Sequence, residues 1–404
     1  MRLLYIVQYF NFPDQTGSTR PYDLASAFVR HGYEVTVLTS DESGNAPKKW
    51  TIVERDGLKV YRLDCPYDNK MGFFKRIFAF CKFFSQASLK QFSLDYDVML
   101  ASSTPLTNGI PALFAKTFRK KPYIFEVRDV WPGVPIAMGY FKNSIVRKML
   151  YSFEKRVYKR ASAIVPLSIG MDANIKQRYP NDKSVVIPNI SELNRFAHSE
   201  KSVDIDFPSG KKIILYAGTF GNVNGLSYVN KLAKETLTLD PDIWFYLIGK
   251  GKEKEENMRE AEELGVLNNN VFFFNPVKKD DLPYLYRSCT AGSSFVIDVP
   301  ALWDNSANKF FDTLAAKKPI IINHKGWQAD TIQEKNIGYV LPPEITIYAA
   351  EEFVAYMNDA ELLKEQGENG YKLAKEDYSL DVAVEKYMSI FRRFELNRSG
   401  NMGT

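Results

Sequence analysis

Short apolar segments that end in glycine or polar residues alternate with segments of helical periodicity, and the pattern occurs twice in this 404-residue chain. In the first half, Leu3–Gln8 is expected to be a strand, Tyr22–Arg30 a helix and Glu34–Thr39 a second strand. A strand, a helix and a strand in succession favour a parallel sheet. The pattern begins again with the strand Ile213–Ala217. Because 404 residues exceed what one hydrophobic core usually holds, we expect two doubly wound α/β domains.

The domains are expected to span residues 1–195 and 196–376, with a C-terminal helix at 377–396 packing back on the first domain and a flexible tail at 397–404. Ligands of such folds bind beyond the carboxyl ends of the strands, so we expect a site in a cleft between the two domains. Further strands are expected at Asp97–Ala101, Pro122–Val127, Ala163–Ser168, Val185–Pro188, Trp244–Ile248, Val271–Phe274, Ala291–Ile297 and Pro319–Ile322.

Composition limits the classes of protein and of site. The three cysteines are scattered and the three histidines stand alone, so the sequence predicts no metal centre and a reducing compartment. No signal-peptide pattern and no apolar run long enough to span a membrane is found. Residues 1–201 carry 30 Lys and Arg against 18 Asp and Glu, while the remaining 203 residues carry 23 against 30. A basic first half indicates an anionic partner.

The stretch from Asp304 to Asp312 reads as the start of a helix that leads into a buried strand. Lys309 and Asp312 are three residues apart and would share a helix face. A helix N-terminus with Asn308 and a lysine favours a phosphate, and the acid one turn later can accept hydrogen bonds from sugar hydroxyls. Asn305, Ser306 and Asn308 are candidate caps of this helix. The stretch therefore predicts a nucleotide-sugar site; the alternative is an amphipathic helix with a solvated lysine and a capping acid.

Glycines and polar residues follow the predicted strands at several points. Gly17 lies between the first strand and helix, and glycine allows close approach of a ligand to the backbone. Gly218 and Thr219 begin a loop with three glycines that fits a diphosphate, and Gly249 repeats the pattern after the next strand. Backbone groups at Asn275 and Val277 are positioned to contact a base. The alternative for Gly17 is a turn that needs a positive φ, and for Gly249, Asn275 and Val277 it is an ordinary strand-to-helix turn. The residues predicted here to bind the donor are Gly17, Gly218, Thr219, Gly249, Asn275 and Val277.

Arg128 and Asp129 close a strand of the first domain. Arg128 is a candidate partner for an acceptor phosphate, and Asp129 a candidate to orient or deprotonate an acceptor hydroxyl. The alternative is a structural ion pair between these two neighbours.

Two basic segments of the first domain are typical of a membrane interface. Lys70–Phe92 contains five basic residues, seven phenylalanines and no acid, with apolar residues at helical spacing. Tyr140–Arg160 is a second basic helix. Phenylalanines in the acyl boundary and cations at anionic headgroups would bind such a surface; a core helix with extended lysines is the alternative.

These stretches together resemble the retaining glycosyltransferases of family 4, which have the GT-B fold of two facing Rossmann-like domains. The stretches Asn308–Pro319 and Arg128–Pro132 are most similar to a bacterial fucosamine-type subgroup that builds surface polysaccharides on lipid carriers. The resemblance implies that Asp312 binds the ribose and Asp304 the sugar. It also implies a basic pair that neutralises the diphosphate; Thr219 and Asn224 stand there instead, so Lys309 is the expected replacement.

The expected function is transfer of a sugar, such as an N-acetylated deoxyamino sugar or a similar hexose, from a UDP-sugar to a polyprenyl-diphosphate-linked acceptor. We expect retention at the anomeric carbon, no metal or other cofactor, no nucleic-acid partner, and a cytoplasmic location on the inner face of the bacterial plasma membrane. Asp129, Arg128 and Lys309 are the expected catalytic residues. A non-catalytic glycosyltransferase-like scaffold and a GT-B nucleotide-sugar epimerase remain alternatives; Thr219 and Asn224 favour the first, and the basic aromatic segment argues against the second.

Overall fold

A computed structural model describes residues 1–43, 48–66, 71, 73–198, 200 and 203–401. The chain forms two compact units. The first contains Met1–Phe12, Ser18–Pro188 and the chain from Asp381 onward, and the second contains Pro13–Gly17 and Asn189–Leu380. The chain thus leaves the first unit after Pro188 and re-enters it at Asp381, so that the second unit is inserted in the sequence of the first.

The first unit is built on a seven-stranded sheet in the order β3-β4-β2-β1-β5-β6-β7. All neighbouring strands are parallel except β3 and β4, which form an antiparallel hairpin at the edge. The strands are β1 (Arg2–Ile6), β2 (Glu34–Asp41), β3 (Trp50–Arg55), β4 (Leu58–Asp64), β5 (Val98–Ser102), β6 (Tyr123–Val127) and β7 (Ala163–Pro166).

Helices cover this sheet, and α3 packs against both α2 and α5. The helices of this part of the chain are α1 (Arg20–Arg30), α2 (Phe73–Lys90), α3 (Gly109–Phe118), α4 (Gly133–Ala137), α5 (Ser144–Arg160) and α6 (Ile169–Arg178).

The second unit has a six-stranded parallel sheet in the order β10-β9-β8-β11-β12-β13. Ile214 and Tyr216 of the central strand pack into one hydrophobic cluster, and Ile213 and Leu215 pack into another. Burial on both faces explains why the strands read as continuous apolar runs. The elements are α7 (Leu193–Ala197), β8 (Lys212–Ala217), α8 (Ser227–Leu239), β9 (Ile243–Ile248), α9 (Lys254–Glu263), β10 (Val271–Phe274), α10 (Leu282–Ser288), β11 (Ala291–Ser294), α11 (Asn308–Ala315), β12 (Ile320–Ile322), α12 (Trp327–Lys335), β13 (Gly338–Val340), α13 (Ile347–Asn358) and α14 (Ala360–Asp377).

The predicted strand Val185–Pro188 is wrong. Val185 N donates to Ile164 O at 2.9 Å and Ile187 N to Pro166 O at 3.1 Å, but the segment contributes only an isolated bridge at Ser184. The segment follows β7 without a ladder of its own, because it leads directly to the point where the chain leaves the unit.

The last helix, α15 (Leu380–Asn401), packs on the first unit from Asp381 onward. Its Tyr387 and Phe391 rings contact Phe28 of α1 at centroid distances of 5.4 and 5.1 Å. Phe391 also contacts Tyr33 at 5.3 Å. The helix includes residues 397–401, which the sequence placed in a flexible tail; residues 402–404 lie outside the described residues.

Candidate functional site

The loops that follow β8, β9 and β10 lie side by side at the carboxyl edge of the second sheet, because the strands are parallel neighbours. Gly218 N donates to Ile248 O at 2.9 Å, and Gly249 N donates to Phe274 O at 3.2 Å. Gly249 has φ +151°, and a Cβ there would collide with the carbonyl oxygen of Gly218. Gly249 therefore permits close contact between two loops, which is a structural reason for a glycine predicted to bind a donor.

Asn275 and Val277 extend this edge but differ in environment. Asn275 is exposed directly after β10. Val277 is half-buried and packs against the hydrophobic cluster under the sheet. The Lys254 ammonium donates to the carbonyls of Gly249 at 3.1 Å and Phe274 at 2.6 Å, so a lysine that sequence reasoning missed fixes the ends of β9 and β10.

Lys309 lies on the first turn of α11, next to the loop that begins at Gly218. Its Nζ is 3.0 Å from the position that a Cβ on Gly218 would occupy, and 4.8 Å from the centroid of the Tyr216 ring. Burial lowers the pKa of Lys309 to about 8, against a smaller opposing effect of Asp312. No ion pair with Lys309 occurs in the described part of the chain. The structure therefore brings Lys309 and its neighbour Asn308 close to Gly218.

The N-cap of α11 is Ala307, and no side chain caps the helix. The capping role considered for Asn305, Ser306 and Asn308 is therefore wrong, because the helix begins at Asn308 and an alanine precedes it. Phe310 N donates to Ala307 O at 3.1 Å, so within the described residues the N–H groups of Asn308 and Lys309 are the ones left for an anion.

Asp312 is buried and forms an ion pair that the sequence did not predict. Lys279 Nζ donates to both carboxylate oxygens, at 2.7 and 2.9 Å, and the two side chains are 7% and 6% exposed. Burial opposes the charge on Lys279, but Asp312 and Glu192 outweigh burial and raise its pKa. Lys279 is 33 residues from Asp312 in the sequence, and no local pattern signals the pair.

The remaining predicted donor residues lie in loops. Asp304 is half-buried in the loop between β11 and α11. Thr219 is exposed, and its carbonyl accepts a hydrogen bond from Tyr216 Oη at 2.7 Å. Gly17 is exposed with φ +115° and belongs to the short segment of the N-terminal chain that groups with the second unit.

In the first unit, the loops after β5 and β6 hold Arg128 and Asp129. Arg128 N donates to Ser103 Oγ at 2.8 Å, and Thr104 Oγ1 donates to Asp129 Oδ2 at 2.8 Å. Both predicted residues are half-buried. Within the described residues no ion pair joins Arg128 to Asp129, so the structural alternative considered for these neighbours is wrong. Asp129 is instead oriented by a threonine on the next loop.

A buried carboxylate lies just before this pair. Glu126 is fully buried and accepts hydrogen bonds from Arg20 Nη2 at 3.0 Å, Ser102 Oγ at 2.5 Å and Tyr387 Oη at 2.7 Å. Burial acts to raise the pKa of Glu126, but the positive charges of Arg20 and Arg128 outweigh burial. The pKa of this carboxyl group therefore lies below its ordinary value. Arg20 also donates to the carbonyl of Ile187 at 3.2 Å. Sequence reasoning missed this network, whose members are scattered along the chain.

The two segments predicted to face a membrane form α2 and α5; Lys70 and Gly72 lie outside the described residues. Phe78 of α2 is 71% exposed, and Ile145 and Met149 of α5 are 67% and 66% exposed. The sequence of α2 contains no acid, and the single acid of α5, Glu154, is buried and paired with Arg178 at 2.9 Å. A groove of about 460 Å³ runs along α5, lined by Ile145, Lys148, Met149, Ser152, Phe153 and Arg156.

Helix α3, which lies between them, continues the same character. Phe118 is 65% exposed and Phe114 is 37% exposed. The sequence from Gly109 to Lys121 contains four cations and no acid. The opposite face of α2 packs into the hydrophobic core through Ala79, Phe83 and Ala87. Helix α2 therefore has one buried face and one exposed face.

Among the described helices, none is long and apolar enough to cross a membrane. In the same residues, no cluster of three or more His, Cys, Asp or Glu side chains is arranged to hold a metal ion.

Solved structures share this fold across nearly the whole chain. Sucrose-phosphate synthase from Thermosynechococcus elongatus superposes with a TM-score of 0.79 at 15% identity, covering 98% of this chain and 99% of the other. An Anabaena protein, Alr3699/HepE, solved in complex with UDP and glucose, superposes with a TM-score of 0.67 at 13% identity, covering 97% of this chain and all of the other. The fold is the GT-B arrangement of two Rossmann-like domains.

Sequence relatives and family descriptions agree with the fold. An O-antigen chain mannosyltransferase C of Escherichia coli is 23% identical over 97% of this chain and 98% of its own. A glycosyl transferase of Escherichia coli strain K12, named for colanic acid biosynthesis, is 25% identical over 70% of this chain and 74% of its own. Residues 16–190 match the glycosyl transferase 4-like domain, and residues 198–373 match the glycosyl transferases group 1. The chain therefore combines a glycosyl transferase 4-like domain with a glycosyl transferases group 1 domain, and the two together span most of its length.

Proposed function

We propose that this transferase moves a sugar from a UDP-sugar to a polyprenyl-diphosphate-linked acceptor in bacterial surface polysaccharide synthesis, with retention at the anomeric carbon. The observation that carries the proposal is the Lys309 ammonium beside Gly218, which no carboxylate of the described residues pairs with, at the start of α11, which no side chain caps. A cation and free backbone N–H groups at one point suit a nucleoside diphosphate. The Anabaena structure that contains UDP has the same fold, and relatives named for O-antigen and colanic acid support the polysaccharide context.

In the proposed reaction, the bond between the anomeric carbon and the diphosphate oxygen breaks as the acceptor hydroxyl attacks from the same face. Negative charge grows on the departing diphosphate, and Lys309, the α11 N-terminus and the Gly218 loop stabilise it. The acceptor proton passes to the diphosphate oxygen. No metal ion takes part in this proposal.

For the acceptor, we propose the loops after β5 and β6. Arg128 offers a guanidinium to a phosphate of the lipid carrier. Asp129, held by Thr104, orients the acceptor hydroxyl through a hydrogen bond before the attack, and this bond breaks as the hydroxyl proton moves to the diphosphate oxygen. On the donor side, Asp312 binds the ribose and Asp304 the sugar, as the similarity to the fucosamine-type subgroup implies.

We further propose that α2 and α5 bind the anionic inner face of the plasma membrane, where lipid-linked acceptors reside. Exposed Phe78, Ile145 and Met149 among cations, with no exposed acid on either helix, support this partner.

The test is calorimetric titration with UDP in the presence of a chelator. We expect micromolar binding that survives the chelator, after which a panel of UDP-sugars with a polyprenyl-diphosphate acceptor identifies the donor and, by NMR of the product, the anomeric outcome. Binding of GDP or dTDP in place of UDP would show that the proposed carrier is wrong. Tight UDP binding without transfer to any acceptor would favour the non-catalytic scaffold. The exposed, neutral Thr219, which stands in place of a basic residue, supports that alternative.

A further inference from the structure

The second unit contains two lysines close to one acid, and only one of the two is paired with it. Lys309 and Asp312 are three residues apart on α11, a spacing at which opposite charges commonly pair. Yet Lys279, from the turn after β10, engages both oxygens of Asp312 at 2.7 and 2.9 Å. Within the described residues, no carboxylate lies within ion-pair distance of Lys309.

The pair is enclosed, and its geometry leaves the carboxylate little freedom. Lys279 and Asp312 are 7% and 6% exposed, and the contact to both oxygens fixes the carboxylate plane. A carboxylate has about four acceptor positions, and Lys279 occupies two of them. Burial makes an unpaired carboxylate costly, so Asp312 without Lys279 would turn to another cation close by. Lys309, one helical turn away, is close enough for Asp312 to raise its pKa.

We propose that Lys279 is a positioning residue that engages the Asp312 carboxylate and so keeps the Lys309 ammonium unpaired for the diphosphate of the donor. This inference rests on the proposed function. With Lys279 present, the two lysines and one acid leave one positive charge beside Gly218. Without Lys279, Asp312 pairs with Lys309, and the site loses the charge that binds the diphosphate.

A purely structural ion pair would behave differently, since its loss would weaken the binding of every ligand of the unit by the same factor. The affinity ratio of UDP to uridine separates the two cases, because uridine lacks the diphosphate and the ratio cancels any change in the base and ribose contacts. UDP is titrated directly into the full chain by calorimetry with a chelator present, and uridine by displacement of UDP.

We expect Lys279→Met to lower the UDP-to-uridine ratio about 10- to 100-fold, the range for loss of one charged hydrogen bond. The double variant Lys279→Met/Asp312→Asn should return the ratio toward the wild-type value, because no carboxylate is left to pair with Lys309. Lys279→Arg, which keeps the ion pair, should keep the ratio. Lys278→Met is the matched control, since Lys278 is the exposed neighbour and its loss removes the same charge.

If Lys279→Met does not fold, Lys279→Gln keeps a hydrogen bond to Asp312 without the charge, and the same fall is expected. An unchanged ratio in these variants, with wild-type UDP binding intact, overturns the inference alone. A fall that the double variant does not restore also overturns it, since Lys279 would then bind the diphosphate directly or act only in folding. A wild-type chain that binds none of UDP, GDP and dTDP overturns the proposed function and this inference together.

Discussion

At the residue scale, the Lys309 side chain is half-buried, its Nζ lies 4.8 Å from the centroid of the Tyr216 ring, and it has no carboxylate partner among the described residues. Burial favours the neutral amine and lowers the pKa of Lys309 to about 8, against the smaller opposing effect of Asp312. The charge that would bind a diphosphate therefore titrates near physiological pH.

This gives a pH prediction. The charged form exists below the pKa, so UDP affinity should be full near pH 7 and fall as the pH rises through about 8. Lys309→Ala should weaken UDP binding at pH 7 by about 10- to 100-fold, abolish transfer and remove the pH dependence. Lys309→Arg stays charged throughout this range and should bind UDP without the dependence. Calorimetry between pH 6.5 and 9.5 measures all three; equal UDP affinity for wild type and Lys309→Ala would exclude a role of this lysine in binding.

The residues of the proposed donor site could be predicted where they are local in the sequence. Lys309, Asn308 and Gly218 follow from strand ends and one helix start, and the structure brings them together. The pairing of Asp312 was not predictable, because its partner Lys279 is distant in sequence and the packing of α10 against α11 brings the two side chains together.

At the element scale, the buried Glu126 joins four elements: α1 through Arg20, β5 through Ser102, its own strand β6, and α15 through Tyr387. A buried carboxylate is tolerated because every acceptor position used is met by a donor. The network also fixes the strand end from which Arg128 and Asp129 project.

Tyr387→Phe should therefore lower the free energy of unfolding by more than the loss of a hydroxyl group at the surface does. One donor to a buried charge is lost while the ring packing on Phe28 is kept, and we expect about 1.5–3 kcal/mol less free energy of unfolding. Tyr348→Phe is the control, because Tyr348 is 75% exposed and should change stability little. Urea denaturation of both variants measures the difference; equal stabilities would mean that the hydroxyl contributes nothing to Glu126.

Most elements could be predicted from apolar periodicity, but the edges of the sheets could not. The hairpin of β3 and β4 was missed, although Asp56 and Gly57 between them have positive φ, as an Asp-Gly hairpin turn requires. Val185–Pro188 was assigned as a strand because it is apolar, yet its neighbours supply only a bridge. Apolar composition alone does not distinguish a segment that pairs as a strand of the sheet from one that runs beside the sheet without pairing.

At the scale of the whole molecule, the charge asymmetry and the exposed aromatics coincide on the first unit. Three packed helices, α2, α3 and α5, have sequences whose single acid is the buried Glu154. Surface electrostatics of this kind weaken with salt, whereas inserted apolar side chains do not.

We expect the protein to cosediment with vesicles of phosphatidylglycerol and phosphatidylcholine but not with phosphatidylcholine alone, and salt should reduce binding without abolishing it. Phe78→Ser/Met149→Ser should remove the salt-resistant part, because both side chains are mostly exposed. Tyr348→Ser, an equally exposed aromatic of the second unit, should leave binding unchanged. Binding that is identical for neutral and anionic vesicles would contradict the proposed surface.

The order of the chain has a consequence for synthesis. The ribosome delivers Phe28 and Tyr33 early, but their partners Tyr387 and Phe391 emerge only after the whole second unit has been made. Domains usually fold in order as they leave the ribosome. In this chain the rest of the first unit is synthesised before α15, so its aromatic face is exposed and Glu126 lacks the hydrogen bond from Tyr387 until synthesis ends. A nascent chain that stalls within α14 would therefore expose an apolar surface to chaperones and proteases.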